Sequence, residues 1–207
     1  MRRSNTPKDV RRKLGRIFRD AISIRTAFRG GDKRPEQFES LIDGISTASK
    51  LISATRLERA DSIGTCLRTI GTGLSICRTE LNESTYQRYF DLIVSHTASP
   101  VGQIAAYAIW ALGDIGIPPD QTREKLVLLV NEKPRFEPGK TGTCRGVAFR
   151  MLAKADITTA GEFRQTPACL EFIQQLTDNR NRISRESPDS HLIQEIDAEL
   201  LPWTKSE

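Results

Sequence analysis

Apolar residues recur at helical spacing along almost the whole chain of 207 residues. In the first such segment they form one stripe, with intervals of three and four residues. The stripe consists of Leu14, Ile17, Phe18, Ala21 and Ile22. The remaining faces of this segment carry mainly arginine and lysine, so the pattern predicts a basic amphipathic helix near the start of the chain.

Later segments repeat the helical spacing and are separated by proline, glycine and capping residues. We predict helices from Pro35, within 61–77, from the capping-box pair Ser84 and Gln87, at 104–115, from Asp120, at 143–155, from Thr166-Pro167 and from Ser187-Pro188. The segment Ile157 to Phe163 is ambiguous between helix and strand, and the polar run Thr177 to Glu186 predicts a loop. Because no clear alternating strand pattern occurs, the predicted fold class is all-α.

Three helical segments, 63–71, 105–113 and 145–153, coincide when the chain is shifted by 42 and then 40 residues. Small residues recur at two aligned positions, namely Gly64, Ala106 and Gly146, and Gly71, Gly113 and Ala153. Bulky apolar residues recur beside them, at 67, 109 and 149 and at 70, 112 and 152. This pattern predicts repeated helix pairs in which one helix of each pair approaches the next pair closely.

The segment Ile104 to Gly116, followed by the apolar run 126–130, resembles a HEAT-like (armadillo-type) repeat, whose first helix typically runs Ala-Ala-x-x-Leu-Gly-x-Ile-Gly. The clearest unit is 100–131, and weaker units are 60–99 and 140–176. The resemblance implies a right-handed α-solenoid of stacked helix pairs over residues 35–207, preceded by a basic arm over residues 1–34. A helical bundle without repeats is the alternative fold.

The net charge of +5 is unevenly distributed. Residues 1–34 contain 12 Lys+Arg and 3 Asp+Glu, a balance of +9, which leaves −4 for the rest of the chain. Candidate phosphate-binding or partner-binding residues are Arg2, Arg3, Arg11, Arg12, Lys13, Arg16 and Arg19. Since Lys and Arg supply most phosphate affinity, the arm is a candidate nucleic-acid contact.

Two other interpretations of the arm stay open. Its helix could dock on an acidic protein or a membrane surface, or its basic side chains could be the solvent-exposed face of the first solenoid helix. Phe18 and Phe28 are the only aromatic residues in the arm, which argues against single-strand recognition by stacking within it. A basic surface that continued to Arg145, Arg150 and Arg164 would favour nucleic acid.

Residues that could take part in catalysis or metal binding are few and scattered. The four cysteines and two histidines show no metal-ligand spacing, so we expect buried thiols and no metal, and we expect His96 to complement the end of a helix. The fragment 139–143 contains Gly-Lys-Thr, but Pro134 stands where the first glycine of a P-loop is required. Asp114 is a lone carboxylate beside a glycine, typical of a solvated or locally hydrogen-bonded group. We expect no catalytic, cofactor-binding or metal-binding residues.

These observations favour a non-enzymatic helical-repeat module that binds a protein partner on its concave face. A nucleic-acid-binding protein that uses the arm for DNA or RNA is the alternative. A DNA glycosylase of the HEAT-like type is weaker, since no active-site residue of those enzymes can be matched. No apolar run reaches the about 18 residues of a membrane span and no signal-peptide pattern follows Met1, which predicts a cytoplasmic chain without integral membrane association.

Overall fold

A computed structural model describes residues 6–32, 34–116, 120–131 and 144–204, and within these ranges the chain is helical with no strand. The helices are α1 (Lys8–Arg29), α2 (Glu36–Lys50), α3 (Arg56–Ile76), α4 (Glu83–Thr97), α5 (Gly102–Ile115), α6 (Asp120–Asn131), α7 (Cys144–Ala155), α8 (Ile157–Glu162), α9 (Pro167–Glu186) and α10 (His191–Thr204). The all-α prediction is therefore confirmed for this part of the chain.

The odd-numbered helices α1, α3, α5 and α7 pack in a row. Helix α3 lies between α1 and α5, and α5 lies between α3 and α7. Each of the even-numbered helices α2, α4 and α6 packs mainly against the odd-numbered helix that follows it. Helix α3 consequently has neighbours on nearly all sides, which explains why its middle, from Ser62 to Leu67, is buried around the whole circumference.

Glycines allow close contacts along this row. A Cβ atom built on Gly71 of α3 would lie 2.5 Å from the carbonyl oxygen of Ala111 in α5. The ring of Tyr107 in α5 covers Gly64 of α3, and the side chain of Met151 in α7 covers Gly113 of α5. Gly64, Gly71 and Gly113 therefore accommodate atoms of the next odd-numbered helix that a Cβ atom would displace.

Helix α1 is tied to α3 by hydrogen bonds as well as by apolar packing. The hydroxyl of Thr69 donates to the backbone carbonyl of Ala21 at 3.0 Å, and that of Ser62 donates to Leu14 at 3.3 Å. Thr6 donates to the carboxylate of Glu58 at 2.6 Å. The basic arm thus contains a helix that is part of the packed structure.

The buried face of α1 differs slightly from the predicted stripe. Val10, Leu14, Ala21 and Phe28 are buried, whereas Phe18 is 37% exposed. These four residues recur at intervals of four and seven, so the stripe is narrower than predicted and centred on a seven-residue spacing. Phe18 consequently lies at the edge of the contact with α3.

Aromatic packing holds the C-terminal helices to α7. The ring of Phe149 in α7 lies 5.5 Å from Phe172 in α9 and 5.7 Å from Trp203 in α10, measured between ring centroids. Phe163 approaches the same ring at 6.4 Å. Since Phe149 is fully buried, it is the centre of this cluster.

Two local predictions were wrong. The polar run Thr177 to Glu186 is the second half of α9, where Ile183 packs against the core and Arg180 pairs with Asp197 of α10 at 2.6 Å. The N-cap of α4 is Asn82, two residues before the expected Ser84, and its side chain accepts from the backbone N–H of Thr85.

Other helix ends match the prediction, resolve an ambiguous segment or add a cap that was not predicted. Thr166 caps α9 with Pro167 in the first turn, and the ambiguous segment 157–163 is the short helix α8, capped by Asp156. The capping box is formed by Thr55 and Glu58 at the start of α3. In the last turn of α4, Nδ1 of His96 donates to the carbonyl of Leu92 at 2.8 Å.

Three of the four cysteines, Cys66, Cys77 and Cys169, are buried, as predicted, and the side chain of Cys144 lies outside the described residues. No helix in the described part of the chain is both long and apolar enough to cross a membrane.

Candidate functional site

The outward face of α1 carries a stripe of basic side chains. Arg12, Arg16 and Arg19 recur at intervals of four and three residues, opposite the buried face, and all three are exposed. Lys13 is exposed beside them. None of these four side chains forms an ion pair with another described residue, so their charge is available to a partner. Arg2 and Arg3 lie outside the described residues.

Arg11 has a structural role that the sequence did not indicate. Its guanidinium donates to the carbonyl oxygen of Thr6, from Nε at 3.0 Å and from Nη2 at 2.8 Å, and so holds the chain that leads into α1. The same side chain lines a groove of about 320 Å³ between α1 and α3. Phe18 forms an apolar wall of this groove, and Glu58 and Asp61 supply acidic groups.

A second group of side chains crosses the row of odd-numbered helices. We call it the arginine–aromatic cluster, and it consists of Arg25 of α1, Arg68 of α3, Tyr107, Trp110 and Asp114 of α5, and Lys154 of α7. The guanidinium of Arg68 lies 5.2 Å from the ring centroid of Trp110, and the rings of Tyr107 and Trp110 meet edge to face at 5.6 Å. The cluster therefore places a guanidinium group of α3 in contact with aromatic rings of α5.

Asp114 is the acidic centre of the cluster. Its carboxylate, only 10% exposed, pairs with Arg68 and with Lys154, each at 3.2 Å. The prediction that Asp114 is solvated or hydrogen-bonded locally is therefore wrong. Its ion-pair partners, Arg68 and Lys154, lie on the two neighbouring odd-numbered helices. A carboxylate that neutralises two cations serves here to join α3, α5 and α7.

Arg25 is held in an unfavourable environment for a cation. Burial lowers the pKa of Arg25 below its ordinary value, and the nearby guanidinium groups of Arg68 and Arg29 lower it further. Asp114 and Tyr107 partly offset this effect. Burial also raises the pKa of Tyr107, with a further contribution from Asp61, so its hydroxyl is neutral at physiological pH.

The basic surface of α1 does not continue to the arginines named in the sequence analysis. Arg150 pairs with Glu199 of α10 at 2.9 Å, and Arg164 donates to the carbonyl oxygen of Pro202 at 2.7 Å. The side chain of Arg145 lies outside the described residues. Arg25 does not extend the stripe either, because it lies four residues after Ala21 and therefore beside the buried face of α1.

The described residues contain no group of three or more His, Cys, Asp or Glu side chains arranged to hold a metal ion. Burial raises the pKa of Cys66 to about 12 and that of Cys169 to about 11, so both remain protonated thiols at neutral pH and are poor nucleophiles. The arrangement of the exposed and half-buried side chains suits binding of anionic and planar groups. The chain matches no family model, no curated protein and no solved structure in the comparisons that we made.

Proposed function

We propose that this chain is a non-enzymatic binding module built as a right-handed HEAT-like solenoid. The observation that carries this proposal is the row of odd-numbered helices with glycines at their contacts, since stacked helix pairs require such close approach at a repeated position. In this arrangement α1 is the first helix of the first pair. Solenoids of this kind present long surfaces to partners, which fits a role as an interaction scaffold or adaptor.

The surface that best suits a protein partner is the groove between α1 and α3. It combines an exposed aromatic side chain, Phe18, with the acidic side chains of Glu58 and Asp61 and the guanidinium of Arg11. A mixture of an aromatic anchor and charged groups is typical of protein interfaces. We therefore expect the partner to insert a side chain beside Phe18.

A photo-crosslinking residue at position 18 tests this proposal in the cells that make the protein. We expect one discrete crosslinked protein with Phe18 replaced, and none when the same group replaces Leu128 of α6, which is more exposed at 61%. Binding should then be reproduced with the purified partner. Equal crosslinking at both positions, or none at position 18, would contradict a specific protein-binding groove.

Nucleic-acid binding is the second candidate function, and one observation favours it. Arg12, Arg16 and Arg19 form an exposed stripe without ion pairs to other described residues, on a helix with eight basic and two acidic residues. Unpaired arginines along one face can contact successive phosphates and release counterions. The 22 residues of α1 span about 33 Å, which is close to one turn of a nucleic-acid duplex.

Replacing the stripe, Arg12→Gln, Arg16→Gln and Arg19→Gln together, is expected to weaken nucleic-acid binding and to reduce its salt dependence. Each phosphate contact contributes about 0.9 to the slope of log affinity against log salt concentration, so the slope should become shallower by up to about 3. Fluorescence anisotropy with labelled duplex DNA and RNA over a salt series measures both quantities. The melting temperature should be unchanged, because these side chains are exposed.

A matched variant removes the same charge elsewhere. Lys50→Gln, Arg182→Gln and Arg185→Gln change three exposed cations on α2 and α9. If this variant lowers the slope as much as the α1 variant does, binding reflects net charge alone and the proposed contact on α1 is wrong.

A further inference from the structure

The arginine–aromatic cluster contains a guanidinium group whose position the fold does not explain. Arg25 is half-buried, yet it forms no hydrogen bond or ion pair with another described residue. The charged groups that act on it are the guanidinium groups of Arg68 and Arg29 and, more weakly, the carboxylate of Asp114. A half-buried cation beside two others destabilises the folded chain unless an anion joins them.

Acidic groups inside the cluster are too few to supply that anion. The carboxylate of Asp114 is already shared between Arg68 and Lys154, at 3.2 Å from each. The attraction between Arg25 and Asp114 is weaker than the repulsion between Arg25 and either Arg68 or Arg29. Because Arg25 pairs with no described carboxylate, the cluster keeps an excess of positive charge beside Arg68, and such an excess favours binding of a phosphate group.

Aromatic rings lie directly beside these donors. Tyr107 and Trp110 are both partly exposed, and Arg68 lies 5.2 Å from the Trp110 ring centroid. Tyr107 rests on Gly64, so its ring lies close against the surface of α3. A phosphate on the arginines would place a base of the same nucleotide chain within reach of these rings, and only an unpaired base can stack on them.

We propose that the arginine–aromatic cluster binds single-stranded nucleic acid, with one phosphate between Arg25 and Arg68 and a neighbouring base against Trp110 and Tyr107. This inference rests on the nucleic-acid candidate function, and it names the strand type and the site on the row of odd-numbered helices. An acidic protein segment is the alternative ligand class that the experiment below separates.

Two labelled strands of about 12 nucleotides test the site, one of oligo-dT and one in which every base is absent but the phosphates remain. Arg25→Gln should weaken binding of both strands by about tenfold, because it removes a charge-assisted phosphate contact. The same substitution should leave the melting temperature unchanged or raise it, since it relieves repulsion among arginines. Lys50→Gln, which removes one exposed cation from α2, is the matched control and should change binding by less than about twofold.

The substitution Trp110→Leu distinguishes the contribution of the base contact from that of the phosphate contact. It should weaken binding of oligo-dT about fivefold or more and leave binding of the base-free strand unchanged. Oligo-dT, and not the base-free strand, should also quench the tryptophan fluorescence of the wild-type protein. Trp203 is buried in the C-terminal cluster, so quenching that disappears in Trp110→Leu reports on Trp110.

Several results would overturn the inference. If the α1 stripe variant loses binding while Arg25→Gln and Trp110→Leu bind as the wild type does, the nucleic-acid function stands and this site is wrong. If the wild type binds no strand at low salt, both the nucleic-acid function and this site are wrong. Tighter binding of a duplex of the same length, or displacement of the strand by an oligo-glutamate peptide at equal charge, would each exclude a single-strand site.

Discussion

Gly71→Ala is expected to lower the free energy of unfolding by about 3 kcal/mol, although alanine is the better helix former. The new methyl group would lie 2.5 Å from the carbonyl oxygen and 2.9 Å from the Cα atom of Ala111. Both are backbone atoms of α5, so no side-chain rotation can relieve the contact. The helices α3 and α5 must move apart, and the cost is overpacking of the row of odd-numbered helices.

Gly15→Ala is the matched control, since Gly15 also lies inside a helix. The nearest atom to its new methyl group is Nη1 of Arg19 at 3.4 Å, the end of a flexible side chain. This substitution should raise stability by about 0.5–1 kcal/mol, the ordinary difference between alanine and glycine. Urea denaturation of both variants measures the contrast. Equal effects of the two substitutions would show that α3 and α5 do not approach as closely as described.

Phe149→Ala is expected to cost about 3–5 kcal/mol, the largest loss that we expect from any single substitution. The ring is fully buried and contacts three aromatic side chains that come from the chain after α7. Its removal leaves a cavity between α7, α9 and α10 that rigid rings cannot fill. The near-ultraviolet circular dichroism of the adjacent Trp203 should weaken, because its ring loses an edge-to-face partner.

Leu170→Ala provides the comparison on α9. Leu170 is 49% exposed, so its truncation should change stability by less than about 0.5 kcal/mol. Chemical denaturation gives the free energies, and near-ultraviolet circular dichroism follows Trp203. A cost below about 1 kcal/mol for Phe149→Ala would mean that the C-terminal helices are not anchored through this ring.

The helices could be predicted from the sequence wherever one face is buried and proline, glycine or capping residues mark the ends. Apolar spacing and Pro167 located α9, but its second half was missed because only Ile183 reaches the core there and the rest is polar. That half is stabilised by Arg180, whose partner Asp197 lies on α10. A contact between separate helices leaves no local periodic pattern, so sequence spacing cannot report it.

The exposed arginines of α1 could be identified from composition, but the arginine–aromatic cluster could not. Its members come from four helices, and its aromatic rings lie in α5, outside the basic arm. One signal was available. The repeat alignment places Arg68 and Trp110 at the same position of consecutive units, and Asp114 and Lys154 at another. Reading polar residues across the aligned units would have paired these four.

The hydrogen bonds from α3 to the backbone of α1 make the basic arm indispensable. Without α1, the buried hydroxyls of Ser62 and Thr69 would lose their acceptors in the neighbouring helix, and an apolar flank of α3 would face water. Deletion of residues 1–34 would therefore damage the whole molecule, and any loss of binding would say nothing about charge. A test of the charge on the arm must therefore keep α1 and replace only its exposed arginines.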